Sequence, residues 1–259
     1  EDAVLELPPD ASYIGDINLD YAASVIGDRM QKLVIPEGVT ETTSEFTVVG
    51  ATTLTEIEFP STLTKLCGNF SETGLRSIRA ENVYAVEGSV SYGSVFNGTA
   101  CYGGAFSKNR FLESVNLPTL GELEQYAFNE CYSLSDVNLP LVGTVGEYAF
   151  ASCQSLSEIS LPQARQIGEH AFDNCNKLSS VELPAAQSLD YFVFQNCTRL
   201  TSVSLPSAVS VCLSSFYRCK NLEEVFLPNV EEVYFNKALK NGKIYIGSTV
   251  QKIDFQVVP

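Results

Sequence analysis

The chain has 259 residues and carries 31 acidic side chains against 16 basic ones, a net charge of −15. That balance argues against nucleic acid and anionic membrane surfaces as partners, since both repel a polyanion, and no apolar run approaches the roughly 18 residues a membrane-spanning helix needs. It fits a soluble, self-repelling surface, or one that attracts basic ligands.

In chain order, residues 1–30 show no clear unit and read as an N-terminal cap. The first residue is Glu1 rather than Met and no leader pattern is visible, so the chain reads as a mature or trimmed exported protein. Residues 31–80 hold irregular repeats. Leu33-Val-Ile-Pro36 and Glu58-Phe59-Pro60 look like strand ends, Phe46 and Phe70 each follow their proline by ten residues, and Arg76-Ser-Ile78-Arg79-Ala80 is a strand whose proline has become alanine. From Ala80 to Phe106 the interval is 26 rather than ten. Residues 81–105 therefore read as one repeat with an inserted loop or hairpin, rich in Gly, Ser and Tyr, of the kind that leaves a solenoid core.

Residues 106–228 are regular. Pro118, Pro140, Pro162, Pro184, Pro206 and Pro228 stand 22 residues apart. Each closes a Leu-x-x-Val/Ile-x-Leu-Pro phrase. Phe128, Phe150, Phe172, Phe194 and Phe216 follow the first five prolines by ten residues, with a Cys three residues further on. Lys243-Ile-Tyr-Ile246 and Lys252-Ile-Asp-Phe255 read as the last strands, within a C-terminal cap over 229–259. A period this constant predicts a single solenoid across 1–259, built from one stacked unit.

The unit has a physical logic. In Leu-x-x-Val-x-Leu the apolar residues point inward and the residues flanking Val point out, as in a short strand. Proline lacks an N–H and ends every strand at the same level. The expectation is a right-handed coil with one parallel β-sheet and a return side of short helical or 3-10 turns, because Ala149, Phe150 and Cys153 have the spacing of one helical face. No unit can bury its Phe and Leu alone; the neighbouring coils must do it.

Leu-x-x-Val-x-Leu-Pro followed by Ile-Gly-Glu-x-Ala-Phe-x-x-Cys resembles the leucine-rich repeat of bacterial surface proteins of the BspA-like type, also found in some protozoan parasites. Ile167-Gly-Glu-His-Ala-Phe172-Asp-Asn-Cys175 carries the pattern most cleanly. The resemblance covers residues 106–228 strongly and 33–80 more loosely. It implies a secreted or cell-surface protein used in adhesion to host proteins and other cells. Conventional leucine-rich repeats place an Asn shortly after the strand; Pro stands there in this chain, so ligand-binding residues of other repeat classes do not transfer.

Eight cysteines in an exported chain suggest disulfides, but five of them share one register. Parallel Cβ atoms about 4.8 Å apart exceed the usual disulfide separation. Cys131, Cys153, Cys175, Cys197 and Cys219 read as a ladder of buried free thiols. Cys67, Cys101 and Cys212 are off register, and no Cys-x-x-Cys pair suggests zinc.

Little points to catalysis. His170 is the one histidine, no Gly-x-Ser-x-Gly elbow, phosphate loop or His-Glu-x-x-His accompanies it, and no cofactor is expected. His170 instead joins Tyr126, Tyr148 and Phe192 in an aromatic row, which either stacks on itself or offers rings to a sugar or protein. The outward face of the strands is the other candidate. It is small, polar and acidic (Asp136, Asn138, Glu158, Glu182, Glu224) until it reaches Phe226 and Tyr245. An exposed Phe beside an exposed Tyr on such a strip suggests an anchor for a protein ligand, unless both lie beneath residues 248–259. Calcium is not excluded by the acids, but Asp136 and Glu158 have no matching acid at 180 or 202, so no site is assigned. Asn69, Asn97 and Asn196 head glycosylation triplets, meaningful only in a eukaryote. The sequence therefore favours a non-enzymatic surface module that binds protein. A glycan-binding surface and a spacer that displays other domains are the alternatives.

Overall fold

The computed structural model describes residues 3–6, 30–42, 46–88, 104–235 and 243–255. Most of the expected N-terminal cap and of the inserted text, with Asn97 and Cys101, lie outside them.

Two rows of short parallel strands run along the molecule. The first row holds the repeat phrase: Ala3–Glu6, Met30–Val34, Glu56–Glu58, Ser77–Arg79, Ser114–Asn116, Asp136–Asn138, Glu158–Ser160, Ser180–Glu182, Ser202–Ser204, Glu224–Leu227 and Lys243–Ile246. Its register follows the period, with Ser114 opposite Asp136, Glu158 opposite Ser180 and Ser202 opposite Glu224. The solenoid is as the repeat dictates, and the row pairs as four separate ladders, broken between the strands at 56–58 and 77–79, at 136–138 and 158–160, and at 180–182 and 202–204.

The return side differs from the expectation of one sheet and helical turns. A second, continuous nine-stranded parallel sheet runs from Lys65–Gly68 through Ala85–Gly88, Glu122–Leu123, Thr144–Val145, Gln166–Ile167, Ser188–Leu189, Ser210–Cys212 and Glu232–Phe235 to Lys252–Phe255. Most of its central strands have two residues, one exposed or half-exposed and one buried, too short to display an alternation in sequence. Leu213–Phe216 is the one helical element among the described residues, a single 3-10 turn.

The third side shows why a helix fails. Tyr148 and Ser152 take left-handed φ values of 54° and 64°, as do their counterparts Tyr126 and Glu130, His170 and Asn174, Phe192 and Asn196. A residue of this kind every four positions breaks any right-handed helix. What it supplies is complete backbone pairing. The N–H groups of Tyr148, Phe150 and Ser152 donate to the carbonyls of Glu169, Ala171 and Asp173 in the next coil, while those of Ala149, Ala151 and Cys153 close turns onto Gly146, Tyr148 and Phe150. These bonds tie coil to coil on this side, as the nine-stranded ladder does on its own.

The core is linear. Phe46, Phe70, Phe106, Phe128, Phe150, Phe172, Phe194 and Phe216 are fully buried, and from Phe70 onward successive rings stack with centroids 5.1–5.8 Å apart. Beside them the Sγ of each ladder cysteine donates to a Phe carbonyl of the preceding coil, from Cys131 to Phe106 at 3.3 Å through Cys219 to Phe194 at 2.9 Å. The seven described cysteines are buried, and those of the ladder are free thiols.

The insertion interrupts neither the core nor the ladders. Ala85–Gly88 pairs with strands on both sides, and the chain re-enters at Gly104, where a Cβ would lie 2.1 Å from the Tyr126 backbone. Asn109 occupies the ladder register in this coil. It is fully buried; its Nδ2 donates to the carbonyls of Phe70 and Phe106, and its Oδ1 accepts from the N–H and hydroxyl of Thr73.

Candidate binding surfaces

The outward side chains of the first sheet form two columns, one on each side of the Val or Ile, which is buried or, at Val137 and Val181, partly buried. Asp136, Asn138, Glu158 and Glu182 are exposed and Glu224 is half-buried. Neighbouring coils join along the columns: Asn138 Nδ2 donates to Asn116 Oδ1 at 2.6 Å, and Ser160 Oγ donates to Glu182 Oε2 at 2.9 Å. At the N-terminal end the acids are neutralised. Lys32 pairs with Glu56 at 3.0 Å and contacts Glu58, and the hydrogen bonds it donates to Glu58 and then to Glu56 raise its pKa. Arg79 pairs with Glu81 at 2.7 Å. Among the described residues no cation pairs with Asp136, Glu158 or Glu182.

The strip ends on aromatic rings. Phe226 stands opposite Tyr245, and the two stack with centroids 4.7 Å apart and planes 6° from parallel. Tyr245 Oη donates to Glu224 Oε1 at 3.1 Å, fixing the ring and turning the carboxylate toward it. Phe226 is 37% exposed and Tyr245 42%. No described residue of the C-terminal segment covers them. On its other side Phe226 is opposite Ser204, a side chain too small to close over the ring.

The aromatic row is assembled but its faces are taken. Tyr126 stacks on Tyr148 at 4.9 Å, Tyr148 on His170 at 4.6 Å and His170 on Phe192 at 5.1 Å. Tyr217 meets Phe192 edge-on. All four rings are half-buried, and burial raises the Tyr148 pKa. The row presents ring edges outward, whereas stacking a sugar needs a free face.

His170 Nδ1 lies 3.2 Å from Asp173 Oδ2, and the Gln195 amide donates to the same oxygen at 3.1 Å. Among the described residues no hydroxyl or thiol hydrogen-bonds to His170, and no three His, Cys, Asp or Glu side chains converge as metal ligands. No helix of the described residues is long and apolar enough to cross a membrane.

Three exposed aromatics, Tyr84, Phe111 and Tyr191, escaped the sequence reading. Phe111 is 56% exposed. It stands in a column that the following coils fill with Ser133, Ser155 and Lys177, and aligning the coils column by column would have singled it out.

A BspA type leucine-rich repeat region matches with six copies, over residues 99–209 and 143–257. The chain belongs to the BspA-type leucine-rich repeat family. Among solved structures, the BspA-type chain is similar to a leucine-rich repeat protein from Bacteroides ovatus, 19% identical over 97% of this chain and 82% of that one, with a TM-score of 0.48. A leucine rich cell surface protein from Faecalibacterium prausnitzii is 17% identical over 100% and 89% of the two chains, with a TM-score of 0.39. A T. pallidum leucine-rich repeat protein is 21% identical over 74% and 78%, with a TM-score of 0.46. The fold rests on the strand ladders, independently of these likenesses. No curated protein matches the chain.

Proposed function

We propose that this BspA-type solenoid is a non-enzymatic, exported surface module that serves adhesion by binding a protein on the outward face of its first sheet. The observation that carries the reading is the stacked Phe226–Tyr245 pair, exposed at the end of a strip of otherwise small polar side chains. Two rings already held parallel, one of them pinned by Glu224, lose little freedom when a partner lands on them, which is what an aromatic anchor needs. The unneutralised carboxylates at 136, 158 and 182 favour a partner with basic side chains facing them. Family membership supports the same use, since stacked repeats present long surfaces for protein ligands.

The reading places most of the binding energy at the two rings. Replacing both with alanine costs about 2 kcal/mol or more, roughly 30-fold in affinity for a protein ligand. The double variant Phe226→Ala/Tyr245→Ala, measured by surface plasmon resonance against a protein that binds the native chain, is the test. Unchanged affinity would place the contact elsewhere.

A further inference from the structure

We infer a second binding site, for a carboxylate-bearing saccharide, in a groove on the turn side of the solenoid. It is independent of the sheet face. The groove has a volume of about 630 Å³, within the range of small-ligand sites, and is lined among others by Thr52, Glu72, Lys108, Arg110, Phe111 and Glu130 from four successive coils.

Its origin lies in chain length. The segment from Phe106 to Leu112 has one residue more than that from Phe70 to Leu75, so Gly74 alone stands in the place of Arg110 and Phe111. Gly74 donates its N–H to Ala51, and a Cβ there would come within 2.2 Å of the Thr52 carbonyl. The shorter turn is therefore drawn down against the preceding coil, and Arg110 and Phe111 stand over the recess it leaves.

The far wall is fixed rather than floppy. Asn109, buried and engaged in four hydrogen bonds, locks the backbone between Lys108 and Arg110 and leaves both side chains outside. Lys108 spans the recess to Glu72 at 3.3 Å. Arg110 is exposed and, among the described residues, has no carboxylate partner; its guanidinium lies 5.8 Å from the Tyr132 ring centre. Later coils have Tyr132, Gln154 and Asn176 in the Arg110 column, so the Arg-Phe pair belongs to this coil.

The chemistry selects the ligand. A free guanidinium with an open fork recognises a carboxylate. The exposed Phe111 ring offers a flat apolar face for the C–H side of a pyranose. Glu72, Glu130 and the Thr52 hydroxyl accept hydrogen bonds from sugar hydroxyls. The same two glutamates, with the net charge of −15, repel a ligand that is anionic throughout, such as a nucleic acid or an acidic peptide. A molecule with a carboxylate among hydroxyls satisfies all of these groups. Uronic acids and sialic acids share that chemistry.

The test is isothermal titration of the full chain with glucuronate and with sialyllactose, each bearing a single carboxylate, beside neutral maltohexaose and hexaglutamate. Arg110→Gln and Phe111→Ser install the small polar residues that other coils carry in these columns, and circular dichroism checks that both variants fold. The expected result is binding of one or both acidic sugars at up to millimolar concentration, weakened about tenfold or more by either variant. Which sugar binds identifies the source. Phe226→Ala/Tyr245→Ala leaves this binding intact, which separates the groove from the sheet face. Failure of both acidic sugars overturns the inference, as does equal binding of maltohexaose or hexaglutamate, or affinity unaffected by the two groove variants.

Discussion

The thiol ladder makes the solenoid sensitive to alkali in a calculable way. Cys131, Cys153, Cys175, Cys197 and Cys219 are buried, and each Sγ donates to a carbonyl of the preceding coil. Burial pushes every one of these thiols above the ordinary value near 9, Cys219 to about 12 and the others up as well. In the folded chain they stay protonated where the unfolded chain ionises. Stability is therefore intact below pH 9 and falls as pH rises above it, toward the folded-state values. Each thiol contributes a slope of about 1.4 kcal/mol per pH unit. Cooperative unfolding of the five coils sums to about 7 kcal/mol per unit, comparable to the whole stability of a typical domain. Urea unfolding followed by circular dichroism, in half-unit steps from pH 7.5 to 10.5 with reductant present, reads this directly. The midpoint should hold to about pH 9 and then collapse within roughly one and a half units, and Cys153→Ala/Cys175→Ala should show a shallower fall. A midpoint flat to pH 10.5, or rapid reaction of these thiols with a disulfide reagent in the native protein at pH 8, would refute the reasoning.

Other expectations follow from the same packing. Phe172 stacks on Phe150 and Phe194 at 5.4 Å with no exposed surface, so Phe172→Ala should cost about 3–5 kcal/mol in urea unfolding. Ser152 holds a left-handed φ of 64° without being glycine; Ser152→Gly should stabilise the chain by about 1 kcal/mol, read as a raised thermal midpoint. Asn109→Ala leaves the buried N–H of Thr73 without its acceptor and takes one donor from the carbonyls of Phe70 and Phe106, at a cost of about 1–3 kcal/mol. Hydrogen exchange should then show coils 46–88 opening before coils 128–219. Phe226→Ser matches Ser204 in the preceding coil and should leave the thermal midpoint unchanged, since it removes a half-exposed ring from the surface and not from the core.

What the sequence revealed was whatever repeats at fixed spacing with distinctive residues. Proline ends, the Phe stack and the Cys ladder are chemically conspicuous at 22-residue intervals, so the solenoid, the first sheet and the buried thiols were legible from them. The second sheet was not, because Thr144–Val145 and its like are too short to show an alternation. The helical reading of Ala149, Phe150 and Cys153 failed for a related reason. Their spacing is equally served by turns through left-handed Tyr148 and Ser152, and neither residue signals positive φ as glycine or asparagine would. Phe226 and Tyr245 could be placed outward by register alone, but only the structure shows the rings stacked and uncovered. The groove depends on a one-residue deletion between adjacent coils, which becomes visible when Gly74 and Phe111 are seen side by side.

The most direct measurement is a binding screen of the purified chain against a panel of extracellular-matrix proteins and a glycan array, with and without calcium. The account predicts a protein ligand whose binding weakens with salt, resists free sugars and calcium removal, and falls about 30-fold in Phe226→Ala/Tyr245→Ala. Silence across the protein panel, or a protein ligand indifferent to salt and to both rings, would contradict it.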